Sequence, residues 1–220
     1  MILAVTAGKG GVGKSTVAYN LAAELGAVAV DADLSMADLP APRGPDLHDV
    51  LAGRASPLEA VHEGGPVDLL PCGRSLAGSR AADPTELADA LAAVDRRYGA
   101  VVVDSPAGLR ADVGLPLVVA DACLLVTRPT RAALADAVRV RELARALDAP
   151  LARVVLNRAD REATDSIAAT LGGPVTRIPD SAVLARAQRA GQPVSAVAPD
   201  SEVARQVRAL AEAVHSLSFS

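Results

Sequence analysis

The sequence predicts a single α/β domain over residues 1–220: a mostly parallel, twisted β-sheet of about seven or eight strands with helices on both faces. Three observations carry this expectation. Short β-branched, apolar runs recur along the chain, each separated from the next by a stretch with helical features, which is the pattern of right-handed βαβ units. The runs are almost continuously apolar rather than alternating, as strands covered on both faces are. The composition is 50% hydrophobic but only 1% aromatic, so Ala, Val and Leu must fill the core, and these suit helices packed closely on a parallel sheet. A chain of 220 residues buries one substantial core, and no repeat, low-complexity tract or linker divides it.

Strands are expected over residues 2–6, 28–31, 67–71, 100–104, 122–127, 153–157 and 175–178. The first leads into a glycine-rich loop that opens a helix. Around the third, two helix starts are marked by Ser56-Pro57-Leu58-Glu59 and Asp83-Pro84-Thr85-Glu86. Each offers a capping side chain, a proline in the first turn and a glutamate three residues beyond the cap. Near the end, Val203, Val207, Leu210, Val214 and Leu217 recur at helical spacing, a stripe expected to dock on the sheet. Arg205, Arg208 and Glu212 give the opposite face mixed charge, unlike the cationic face of a membrane-binding helix.

Composition narrows the classes of function. The formal net charge of -4 argues against a nucleic-acid binder working through global charge, while leaving a local basic face open. Cys72 and Cys123 have neither a C-x-x-C nor a zinc spacing and read as small buried thiols. The longest apolar run, LPLVVADACLLV, is broken by Asp121, well short of the ~20 residues of a membrane span. Met1 leads directly into an apolar strand with no basic leader, so the chain is expected to be soluble and cytoplasmic.

The loop after the first strand overlays two phosphate-binding patterns. Gly8-x-Gly10-x-x-Gly13 has the spacing of a dinucleotide fingerprint, and Asp31 lies where such a site holds a ribose. Gly8-x-x-x-x-Gly13-Lys14-Ser15 is a nucleoside-triphosphate P-loop. The two residues after Gly13 decide between them. Lys14 places a cation on the β and γ phosphates and Ser15 a hydroxyl on Mg²⁺, where a dinucleotide site needs a small or apolar residue for helix packing. Lys9 and Lys14 are also the only lysines in the chain, every other basic side chain being arginine or histidine. A compact ammonium fits a narrow phosphate cradle as a planar guanidinium does not. Such sites need a strand-end carboxylate near the metal, and AVVVDSPAGL supplies Asp104, followed by a loop at Ser105-Pro106-Ala107-Gly108. Asp31 reads equally well as a strand-end residue that hydrogen-bonds its own loop.

The motifs KGGVGKST, VDAD, VVVDSPAGL, LNR and IPD, in that order, resemble the deviant P-loop ATPases of the MinD/ParA superfamily, with archaeal-style MinD proteins nearest. The resemblance runs from Met1 to about Leu217 and implies a P-loop NTPase fold with ATP and Mg²⁺ as cofactors. It implies that Gly8, Lys9, Gly10, Gly11, Val12, Gly13, Lys14, Ser15 and Thr16 wrap the phosphates, with Ser15, Asp33 and Asp104 around Mg²⁺. Lys9 would be the family's signature lysine, reaching across an ATP-bound homodimer to the partner's phosphates. Asp33 would orient the attacking water in a first switch, and Pro106 to Gly108 would form the second. Asp38 falls in the first switch too and is read as solvated. Asn157 would read adenine, or else cap a turn, and Pro179 and Asp180 would close over the base.

The implied function is a slow ATP hydrolase, a dimerising switch that positions a cellular assembly such as division, chemotaxis or motility machinery. A protein activator or cargo is expected, since no arginine finger is evident. Peripheral membrane contact is the less expected tether. The alternative is a DNA-partition relative using Arg186, Arg189, Arg205 and Arg208 on nucleic acid, against a plain reading of these as scattered surface charge. An iron–sulfur carrier is disfavoured because there is no C-x-x-C, and a dinucleotide oxidoreductase stands furthest out.

Overall fold

A computed structural model describes residues 1–34, 39, 43–108, 111–159 and 164–216; Asp38 and Leu217 lie outside them. Among these residues the chain runs β1 (Ile2–Ala7), α1 (Lys14–Leu25), β2 (Val28–Asp31), α2 (Leu47–Leu51), β3 (Leu69–Leu70) and α3 (Leu76–Ala81). It continues through a 3-10 turn (Pro84–Glu86) into α4 (Leu87–Tyr98), β4 (Val101–Ala107), α5 (Ala111–Val119), β5 (Ala122–Thr127) and α6 (Arg131–Ala146). It finishes with β6 (Leu151–Asn157), α7 (Thr164–Leu171), β7 (Val175–Ile178), α8 (Ala182–Arg189), α9 (Val194–Val197) and α10 (Glu202–His215).

The strands form one seven-stranded sheet in the order β3-β2-β4-β1-β5-β6-β7, and every neighbouring pair is parallel. Successive strand side chains face opposite sides. Leu3, Val5 and Ala7 of β1 therefore join a cluster with Val17 and Leu21 of α1 and Val203, Val207, Leu210 and Val214 of α10. Val28 and Val30 of β2 and Val101 and Val103 of β4 face the other way, toward α2 and α4. Further along that second face, Leu125, Val154 and Leu156 meet α6 and α7. The expected stripe on α10 thus docks over its described length, and Arg208 on its outer side lies 3.6 Å from Glu24. Among the described residues no helix is long and apolar enough to cross a membrane.

Three local expectations need correction. The capping pair at Ser56 forms, with Ser56 Oγ donating to Glu59 Oε2 at 2.9 Å and Glu59 N donating to Ser56 Oγ at 3.3 Å, but only a single turn comes after it. Ala60 and Val61 are buried, and His62 exchanges backbone hydrogen bonds of 2.8 and 3.1 Å with Leu69 in an antiparallel bridge. That pairing requires extended backbone and ends the turn. By contrast Asp83 accepts from Thr85 N at 3.0 Å and opens the 3-10 turn that feeds α4, as its motif predicts. The third strand is two residues long instead of spanning 67–71. β4 runs three residues past Asp104, because Ala107 pairs with Ala7 across a register shift, so Ser105 and Pro106 belong to the strand and not to a loop.

Register brings the strand ends of interest together. Asp31 sits opposite Asp104, Ala7 opposite both Ala107 and Val126, Thr127 opposite Leu156, and Asn157 opposite Ile178. All point to the carboxyl edge, where open parallel sheets bind ligands.

Candidate functional site

β1 ends at Ala7, the glycine-rich loop turns, and α1 begins at Lys14. Gly8 is glycine because α6 crosses directly behind it, so that a Cβ there would overlap the backbone of Asp136. Gly13 has φ 97°, and a Cβ there would overlap Asn157 Nδ2. The close approaches fix the loop at both ends. Side chains cap α2, α3, α6, α8 and α10 through Asp46, Ser75, Thr130, Ser181 and Ser201. No side chain caps α1, and its first turn carries no acidic residue. The positive end of its dipole therefore faces the loop unneutralised by a cap, the arrangement that receives phosphate.

The two lysines of the loop part company. Lys14 is buried and its ammonium pairs with Asp104 Oδ1, with Ser15 Oγ at 3.5 Å. Lys14 is 6% and Asp104 0% exposed, so the two opposite charges compensate one another away from water. Lys9 is half-buried, and among the described residues nothing accepts a hydrogen bond from its ammonium. Lys14, Ser15 and Asp104, expected at a phosphate and metal centre, are thus in contact.

Asp31 is fully buried at the end of β2 and accepts from Leu39 N at 3.1 Å and from Asp33 N at 3.3 Å. Its carboxylate organises the segment after β2, as the strand-end reading has it, and the ribose reading gains no support. Asp33, half-buried, stands two residues on, and its carbonyl accepts from Cys72 Sγ at 3.2 Å. Burial first, and then the carboxylates of Asp31, Asp33 and Asp46, push the Cys72 thiol up; burial raises Cys123 to about 11. Both cysteines are buried free thiols, as their spacing suggests.

Asn157 donates from Nδ2 to the Val12 carbonyl at 2.7 Å and accepts at Oδ1 from Arg158 N at 3.0 Å. Arg158 takes the left-handed conformation, φ 53°, at the end of β6. Both ends of the Asn157 amide therefore hold backbone, one of them in the phosphate loop. Beside it opens a cleft lined by Gly13, Thr16, Asn157, Arg158, Pro179 and Asp180, with residues of α8 such as Leu184 and Gln188 also at its lining. Residues expected to hold a base thus border the phosphate loop directly. Across the cleft Arg158 Nε lies 3.9 Å from Asp180 Oδ1.

A Mg²⁺–nucleotide suits this donor set. A serine hydroxyl and a carboxylate are hard oxygen donors, and Mg²⁺ takes one or two such groups and completes its shell with phosphate and water. Among the described residues no three His, Cys, Asp or Glu side chains converge as a protein-only metal cage.

Several residues around the site left no trace in the sequence. His48, Cys72 and Ser79 reach the segment bearing Asp33, and Asp136 backs Gly8. Only the glycine at position 8 hints at such a neighbour.

Comparison with known proteins agrees with this geometry. The family described as CobQ/CobB/MinD/ParA nucleotide binding domain matches residues 3–194. An uncharacterized ATP-binding protein of Methanocaldococcus jannaschii is 39% identical over 174 residues, a match covering 74% of this chain and 66% of that protein. The cell division ATPase MinD of Pyrococcus furiosus superposes with a TM-score of 0.91 at 29% identity, covering 98% of each chain. The septum site-determining protein MinD of Pyrococcus horikoshii, complexed with Mg-ADP, also gives 0.91 at 29% identity, over 98% of this chain and 96% of its own.

Proposed function

Because the chain belongs to the CobQ/CobB/MinD/ParA nucleotide-binding family, we propose that it is a Mg²⁺-dependent ATP hydrolase that dimerises when ATP-bound and acts as a switch positioning a cellular assembly. The P. horikoshii neighbour, complexed with Mg-ADP, supports the choice of nucleotide and metal. In this reading Lys14 and the uncapped start of α1 hold the phosphates, while Ser15 and Asp104 hold the metal. Mg²⁺, when bound, neutralises charge on the transferring phosphoryl group. Asp33 orients water, and Asn157, Pro179 and Asp180 border the base. A partner protein acts as activator or cargo.

The observation that carries the dimer is the divergence of the two lysines. One loop has no need of a second ammonium that leaves the buried pair and stays half-exposed, unless a facing molecule brings it phosphate. A DNA-binding role draws less support. Arg208 lies by Glu24, Arg205 donates to the Asp200 carbonyl and Arg189 to the Ala185 carbonyl, which is the behaviour of ordinary surface arginines. A membrane tether through α10 is disfavoured as well, since its apolar stripe is buried against α1 and the sheet.

Light scattering of the purified protein with ATP and Mg²⁺, with ADP, and without nucleotide tests the proposal. Asp33→Ala should accumulate as an ATP-bound dimer. Lys9→Ala should bind ATP as a monomer yet dimerise about two to four decades more weakly, because a symmetric dimer loses two charge-assisted contacts. Equal dimerisation of the two variants in ATP rejects the cross-dimer role.

A further inference from the structure

The segment carrying Asp33 is held from outside the nucleotide site. Leu34 presents its carbonyl to two donors, His48 Nε2–H of α2 at 3.1 Å and Ser79 Oγ of α3 at 3.1 Å. The preceding carbonyl, of Asp33 itself, accepts from Cys72 Sγ at 3.2 Å. Cys72 Sγ and His48 Nε2 are 3.5 Å apart, so the three donors form one connected group. A carbonyl can only accept, which places the proton on Nε2 of His48. Its Nδ1 is buried with no hydrogen-bond partner among the described residues, so Leu34 is the main polar anchor of the ring.

The imidazole cannot turn away. His48 is 3% exposed, and the chain passes it closely on two sides, where a Cβ at Gly73 would overlap Nδ1 and one at Gly78 would come within 3.1 Å of His48 Cβ. On the strand side, Asp31 fixes Asp33 N and Leu39 N. The backbone around Asp33 is therefore held at its amide from β2 and at two consecutive carbonyls from α2, α3 and Cys72.

We propose that His48, Cys72 and Ser79 are positioning residues for hydrolysis, a brace that sets the backbone from which Asp33 reaches the reacting water. The proposal rests on the ATPase reading with Asp33 as the water-orienting group. A misplaced orienting group loses rate without losing ground-state affinity. The brace residues touch Asp33 and Leu34 alone at this site and make no contact with the phosphate loop among the hydrogen bonds described.

Ser79→Ala removes one donor with little change in packing and is the first variant to make. Its kcat should fall about 3- to 10-fold, as loss of one hydrogen bond allows, with ATP affinity held within about twofold. Ser79→Thr, which restores a hydroxyl, should recover most of the rate. In the Asp33→Ala background, Ser79→Ala should cost nothing further, because a positioning residue has no effect once the group it positions is gone. A wild-type rate in Ser79→Ala overturns the proposal, and so does an equal fold-loss with and without Asp33.

A second readout separates this failure from failure of the ATPase reading. In a Cys123→Ala protein, alkylation of Cys72 by a small maleimide reports the brace without any nucleotide. Ser79→Ala and His48→Gln should both speed that labelling several-fold. If the wild type hydrolyses no ATP, the function is wrong and labelling alone decides whether the three residues act as one unit; unchanged labelling in both variants rejects the unit.

Discussion

The loops after β1 and β2 leave the same edge of the sheet, yet close backbone approach does most to hold the first and side-chain hydrogen bonds do most to hold the second. The phosphate loop is held by shape: Gly8 lies against the backbone of Asp136, Gly13 lies against the Asn157 amide, and that amide bonds the Val12 carbonyl. The segment after β2 is held by side-chain donors instead, from His48, Cys72 and Ser79, which lie 14, 39 and 45 positions away from their acceptors. Close backbone approach tolerates only glycine, so the first loop announces itself in the sequence. Any small donor at the right place holds the second. The difference suits the two proposed roles, since a phosphate cradle must keep one shape while a switch must be released.

Breaking the first loop should have the largest effects. Lys14→Ala removes the ammonium proposed to face the phosphates and also takes from buried Asp104 the cation it pairs with. Breaking such a buried pair costs about 3–5 kcal/mol, and ATP affinity should fall about a hundredfold or more. Calorimetry with and without ATP measures both. Undiminished affinity would mean that the loop does not hold triphosphate.

Gly13→Ala should come next. It strains a φ of 97° and drives a Cβ into Asn157 Nδ2, so the Asn157–Val12 hydrogen bond must give way. Strain and lost bond together should cost about 2–4 kcal/mol, read as a lower denaturation midpoint with weaker ATP binding. Gly10→Ala makes the control for the denaturation midpoint, because nothing lies within 4 Å of a Cβ at that position. If the two variants behave alike, packing does not hold the loop.

A further effect depends on pH and acts through the two buried thiols, of which Cys72 belongs to the second segment. Cys72 must keep its proton to donate to Asp33, and both folded thiols titrate above the ordinary value of about 8.5. Linkage gives the sign: above that pH the unfolded chain has lost thiol protons that the folded chain retains. The contribution of the thiols to stability is thus full below about pH 8.5 and declines as pH rises toward the Cys123 value of about 11. Denaturation midpoints measured between about pH 8 and about pH 10.5 should fall less steeply in Cys72→Ala/Cys123→Ala than in the wild type. Parallel curves would remove the thiols from the balance.

Much of this arrangement is legible in the sequence. All seven strands were marked by their apolar runs, because a parallel strand buried on both faces has to be apolar throughout. The phosphate loop, Asp104 and the docked stripe of α10 were equally plain, since each is a constraint on residue type at a fixed local spacing. Two capping motifs of the same form had different outcomes. The one at Asp83 leads into α4, while the one at Ser56 stops after a turn because His62 is drawn into pairing with Leu69. A cap sets where a helix can start, and tertiary pairing sets whether it continues.

Asn157 shows the same limit from the side of function. The family resemblance implies a base-reading amide, and the chain brings it to the cleft beside Gly13 and Thr16, yet the hydrogen bonds of that amide go to backbone. What the sequence by itself determined is every feature that confines a residue type locally: apolar strands, glycines at close approaches, the paired lysines, the strand-end carboxylates. What only the tertiary structure decided is which distant side chains complete those features: Asp104 on Lys14, Asn157 on Val12, and His48, Cys72 and Ser79 on the carbonyls of Asp33 and Leu34. The physical reason is that a backbone carbonyl accepts from any donor that reaches it, so such a contact selects a position in space and leaves almost no constraint on the sequence around it.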